Sequence, residues 1–245
     1  MQQGIPWGRL SAEGSVIVVS ILLALGGQAW WEGRQERRQE DEYLVALRAE
    51  LDQGLAMLPA AVAEVDDVLH AHESLIAQFG ATNLAPSDSL IYWLSQLSYP
   101  TGFTPPRAVL EDLVSSGGIR LITSDRLRLA VADYDRALGS IAATSQQAWT
   151  TWSERIQPYL EPRVSRVDRL RKGSYFREVP FAEVPFAPSP FIPNYGGIFS
   201  DPGFESMIAE RWIRLDSSIA TLSGLDAVIA EIVAMIDEEL HGPSR

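Results

Sequence analysis

Val16 to Trp31 reads VIVVSILLALGGQAWW, a stretch without one charged side chain, bounded by Arg9 and Glu13 before it and Glu32 and Arg34 after it. With Ser15 in front it covers roughly 25 Å as a helix, the low end of what crosses a bilayer. Trp30 and Trp31 stand where an interfacial aromatic belt belongs. We read residues 15–31 as a single transmembrane helix that contacts lipid. A cleaved leader is the rival, because Gly27 and Ala29 are small enough for a peptidase cut. A buried helix of a soluble protein is the third reading, and the uncharged run argues against it. Within the span, Ser20, Ala24 and Gly27 form one small-residue stripe that lets a partner helix come close. Ordinary lipid-facing composition would give the same pattern.

Outward from the span, residues 1–14 form a short polar tail. On the other side no breaker follows Trp31. The sequence continues in Glu, Arg, Gln, Ala and Leu, good helix formers. Leu44, Leu47, Leu51, Leu55 and Leu58 recur at steps of three and four, one face of a helix. Pro59 should kink this stalk without ending it, because Val62, Val65, Leu69 and Ile76 resume the stripe. The helix should stop near Gly80. A short helix follows from Ser87 or Asp88 as cap to Leu97, and a second over 107–116 with Pro106 at its first turn and Gly117 and Gly118 at its end.

Ser124 is placed to cap a long helix whose stripe is Leu127, Val131, Tyr134, Leu138, Ile141, Ala148, Trp152 and Ile156, close to a heptad rhythm. The last long helix opens on Asp201 and Pro202. Its stripe runs Phe204, Ile208, Trp212, Leu215, Ile219, Leu222, Ile229, Ile232, Ile236 and Leu240. Between them, 173–201 is rich in proline and aromatics, so it should be extended yet docked. The expected architecture is all-α: a transmembrane helix continuous with a long stalk, an antiparallel bundle of three long helices, short helices and this extended segment. In segments, 32–172 is stalk and body, 173–201 the extended tract and 202–241 the last helix.

A formal charge of −12 and a pI near 4.7 argue against nucleic acid, which needs a basic surface. Cysteine is absent, which excludes disulfides and thiol chemistry. Asp66, His70 and Glu73 share one helical face. That set is a weak metal motif, and a solvated polar face explains it as well. Gly26-Gly27, Gly117-Gly118 and Gly196-Gly197 lack the lysine and hydroxyl of a nucleotide loop. No cofactor is expected, and no catalytic residue stands out.

Two segments carry a resemblance. Ile21 to Leu51 holds an apolar span, then Gln28, Trp31, Tyr43 and Leu44. Leu110 to Tyr134 holds Ser115, Ser116, Gly117, Leu121, Ile122 and Tyr134. Over these the chain resembles a family of bacterial single-span membrane proteins defined by a domain of unknown function, of Bacteroidota type. The resemblance covers about half the chain; the tract from Gly173 departs from it. It implies a body outside the cytoplasm, whereas Arg34, Arg37 and Arg38 by themselves lean to the cytoplasmic side. We follow the resemblance and expect an inner-membrane protein with a periplasmic body.

The expected function is a non-catalytic accessory subunit or scaffold of a larger membrane complex. A free-standing envelope sensor or binding protein is the alternative, and a metal-dependent membrane enzyme using Asp66, His70 and Glu73 is a more distant one. Partner contacts are expected at Ser20, Ala24, Gly27, Trp30 and Trp31, and on Phe181, Phe186, Phe191 and Tyr195 of the extended tract. Other membrane subunits, or a second copy of the chain, are the partners these surfaces suit.

Overall fold

The computed structural model describes the backbone of residues 7–173 and 187–242, and the side chains from Leu23 onward within those ranges, Ala29 excepted. The fold is all-α, with no strand among the described residues. Helix α1 runs Trp7–Ile76, α2 Ser87–Gln96, α3 Ala108–Ser115, α4 Asp125–Thr151, α5 Gln157–Leu160, α6 Arg166–Lys172, α7 Tyr195–Ile198 and α8 Pro202–His241.

Helix α1 is 70 residues long and passes through Pro59 unbroken. Pro59 is exposed. The carbonyl that loses its partner there can turn to water, which lowers the cost of a proline inside a helix. A central seam of buried positions alternates by three and four, Leu44, Leu47, Leu51, Gly54, Leu58, Ala61, Val65, Val68, His72 and Leu75, with Glu40, Glu50, Leu69 and Ala71 also buried beside it. Leu55 and Val62 are only partly buried and flank the seam. The apolar pattern alone places them on it. The central slots at 54, 61 and 72 belong to a glycine, an alanine and a histidine, which an apolar count passes over.

Helix α8 packs on both α1 and α4. Its partners run opposite to it: Arg48 pairs with Asp237 and the Trp212 indole donates to Glu73, while Arg126 pairs with Glu231 and Arg214 donates to Gln147. The seam of α8 is Phe204, Ile208, Arg211, Leu215, Ser218, Leu222, Leu225, Ile229, Ile232 and Ile236, all buried. Trp212, Ile219 and Leu240 lie beside it, half-buried. Each buried leucine or isoleucine contributes about 1.5–3 kcal/mol to stability.

Among the described residues α8 is the one helix long and apolar enough to cross a membrane by length and composition. Its mean hydropathy of 1.9 over the best window sums a buried Ile/Leu seam with exposed Ala220, Ala227, Ala230 and Ala234. A core helix of a water-soluble bundle has the same make-up.

Acidic side chains of α1 fix the short elements. Glu50, 9% exposed, accepts from the Val109 and Leu110 amides at 2.8 and 3.0 Å. It thus serves the first turn of α3, whose own N-cap Arg107 offers no side-chain bond. Glu40 accepts from the Thr123 amide and hydroxyl, and Tyr43 donates to Asp112. Gly117 takes φ 78°, a conformation only glycine adopts freely, and so turns the chain after α3.

Ser124 caps α4 through the Leu127 amide, and Asp201 caps α8 through the Gly203 amide. The cap of α2 is Pro86, with no side-chain bond; Asp88 sits inside the first turn, where it favours the positive end of the helix dipole.

Helix α4 runs into a π turn over Trp152–Ile156, in which the Gln157 amide reaches the Trp152 carbonyl. Pro158 supplies no amide to the chain here, and the wider turn absorbs the gap. A second cluster closes this end of the bundle: Leu75, Leu90, Leu94, Leu97, Trp152, Ile156, Ile198, Phe199 and Phe204 belong to it.

Candidate functional site

The expected partner surfaces divide. On α1, Ala24, Gly27, Trp30 and Trp31 are exposed, as are Leu23 and Leu25. The side chain of Ser20, and Phe181 and Phe186 altogether, lie outside the described residues. Phe191 is 78% exposed, with Ile192 beside it at 94%. Tyr195 instead packs against the second core cluster, with Ile198 and Phe199 after it fully inside. Burial, then the charges of Asp168 and Asp88, push the Tyr195 phenol up to about 12. The end of the proline-aromatic tract is therefore core cover, while Phe191 faces outward.

The acids around His70 do not converge. His70 lies 3.4 Å from Asp66, whereas Glu73 takes the Trp212 indole at 3.3 Å. No group of three metal-ligating side chains occurs among the described residues.

The unusual chemistry is elsewhere, in the seams. His72 of α1 and Arg211 of α8 occupy central positions where leucine would be ordinary, and both are fully buried. His72 Nδ1 donates to the Val68 carbonyl at 2.7 Å, which fixes its proton there and leaves Nε2 as a buried lone pair without a partner. Burial foremost, and then the Arg211 charge, push the His72 ring down to about 3. It is neutral at every physiological pH.

Arg211 donates to the carbonyls of Leu97 and Tyr99, the latter at 3.1 Å, and Leu97 is the C-cap of α2. A cation at a helix C-terminus meets the negative end of its dipole. Its Nε is buried without a partner, and the acceptors of its other nitrogens among the described residues are backbone carbonyls. Burial alone pushes the guanidinium down to about 9. Beside it lies a cleft of about 290 Å³ between residues 100–104 and the α4 residues Ala142, Ser145, Gln146 and Trp149. Ser145 occupies a seam slot of α4, and its hydroxyl is buried without a partner. Gly102 lies against Ser145: a Cβ there would touch the Ser145 Oγ at 3.4 Å, an ordinary contact distance.

Apolar periodicity could not reveal this layer. The only signal was a pair of seam slots, 72 and 211, filled by residues that buried seams rarely hold. The arrangement offers a cation and hydroxyls to a ligand; it pairs no nucleophile with a base.

No protein-family model, no curated protein and no solved structure matches the chain.

Proposed function

We propose that the chain is a single-span, non-catalytic scaffold or accessory subunit of a bacterial inner-membrane assembly, anchored by residues 15–31 with its helical body on the periplasmic side. One observation carries this reading. From Leu23 to Gln39 every residue of α1 whose burial is described is exposed except Gly33, which is partly covered, and Leu23, Leu25, Trp30 and Trp31 are among the open ones. A lone helix with large apolar side chains in water is costly, and a bilayer around it removes that cost. Arg34 lies over the Trp30 ring at 5.6 Å, a polar tip next to an interfacial tryptophan.

The resemblance to the single-span family supports the same reading. The two segments that carry it are joined directly: Glu40 to Thr123, Tyr43 to Asp112, and Glu50 to Val109 and Leu110.

Carbonate-washed membranes test the anchor. The full chain should stay in the pellet, and a variant lacking residues 16–31 should be released as a folded helical protein. Release of the full chain, or retention of the shortened one through α8, refutes the proposal. A periplasm-dependent reporter fused to the carboxyl terminus should be active, and an inactive one places the body in the cytoplasm.

A further inference from the structure

We propose that the cleft beside Arg211 binds a small organic monocarboxylate, held by the guanidinium with its apolar body against Trp149. This goes beyond the anchoring reading and does not depend on it.

The first support is a count of donors. A guanidinium carries five N–H groups. Arg211 spends bonds on two backbone carbonyls, and its Nε is buried and unpartnered. Buried charges are ordinarily paired, because desolvating an ion costs several kcal/mol that only an opposite charge and good hydrogen bonds restore. The C-terminus of α2 presents only about half a negative charge. An anion in the adjoining cleft, of which Arg211 forms part of the wall, would supply the opposite charge that the guanidinium lacks.

The second support is the cleft itself. Arg211 forms part of its wall, and its volume of about 290 Å³ admits a molecule of benzoate size. Ser145 adds a buried hydroxyl that lacks a partner, and Thr101 a further hydroxyl at the rim. Trp149, 37% exposed, gives a flat apolar wall.

The charge balance selects the anion. One arginine neutralises one carboxylate, and the planar fork of the guanidinium matches the carboxylate edge. A phosphate dianion would leave a surplus negative charge in a chain already at −12. The ring of an aromatic or branched acid would lie on Trp149.

Equilibrium dialysis of the full chain in detergent micelles, with radiolabelled benzoate as probe and neutral benzamide as competitor, tests the proposal. One saturable site per chain is expected, with benzamide unable to displace the label. Arg211→Gln should weaken binding by at least about tenfold. Because Arg211 also holds the end of α2, Ala142→Trp provides an independent variant that fills the cleft from its open side and leaves the arginine in place. It should weaken binding equally while circular dichroism and melting temperature stay unchanged. Absence of saturable binding up to about 10 mM, displacement by benzamide, full binding in Ala142→Trp, or a site that takes inorganic phosphate in preference to benzoate would each overturn the proposal.

Discussion

Acidification should loosen the bundle through His72. In the fold its ring is held neutral down to about pH 3, whereas in the unfolded chain it takes a proton near pH 6.5. Between those values the unfolded state binds one proton that the folded state refuses. The contribution of this site is therefore fully present above pH 6.5 and is lost progressively as pH falls toward 3. The slope is about 1.4 kcal/mol per pH unit, so a drop from pH 6.5 to 5 costs roughly 2 kcal/mol. Against a total stability of about 5–15 kcal/mol that is a large fraction.

Urea unfolding of the full chain in detergent, followed by near-ultraviolet circular dichroism, measures it. The comparison is His72→Leu, which suits the seam slot and carries no titratable proton. The difference in stability between the two proteins should be flat above pH 6.5 and should change by about 1.4 kcal/mol per unit below it, in favour of leucine. Parallel curves for the two proteins would refute the reasoning, because every other titrating group is common to both.

Gly139 is exposed in the middle of α4, with open space where a Cβ would stand. Gly139→Ala should therefore stabilise the fold by about 0.5–1 kcal/mol, read as a higher urea midpoint at unchanged slope. Glu50→Ala should cost about 2–3 kcal/mol by stripping two amides of α3 of a charged acceptor, and amide exchange at Val109 and Leu110 should quicken before the rest of the bundle responds. In liposomes, lipids brominated near the headgroup should quench Trp30 and Trp31, compared with a Trp30→Phe/Trp31→Phe variant; equal quenching of the two proteins would contradict the interfacial placement.

The helical character and the long seams were legible because the spacing of Leu, Ile and Val is a local property of the chain. The eight stripe residues named for α4 are all buried. On α1 and α8 the reading slid to neighbours such as Leu55, Val62, Trp212 and Ile219, because Gly54, Ala61, Arg211 and Ser218 hold the true central slots. Which polar residue occupies a seam is decided by what it meets across it. Arg211 is tolerated because the end of α2 arrives there, more than a hundred residues away in sequence. The same holds for Glu40 and Glu50, which look like stalk surface charges until α3 and Thr123 fold back onto them. The local caps at Ser124 and Asp201 were legible, whereas the cap position of α2 is Pro86 instead of Ser87 or Asp88, and the amides of α3 are served by Glu50 of a distant helix.

The length of α1 sets a distance as well as a shape. At 1.5 Å per residue, Trp31 and His72 are about 60 Å apart along one continuous helix. On the proposed anchoring at Trp30 and Trp31, the Arg211 cleft would stand off from the bilayer by a similar span. A rotation imposed on the rod in the membrane would travel up it as torque, since no loop interrupts the path. Pro59, with its missing hydrogen bond on the open side, is the point at which such a rod would flex, between the lipid and whatever the far end holds.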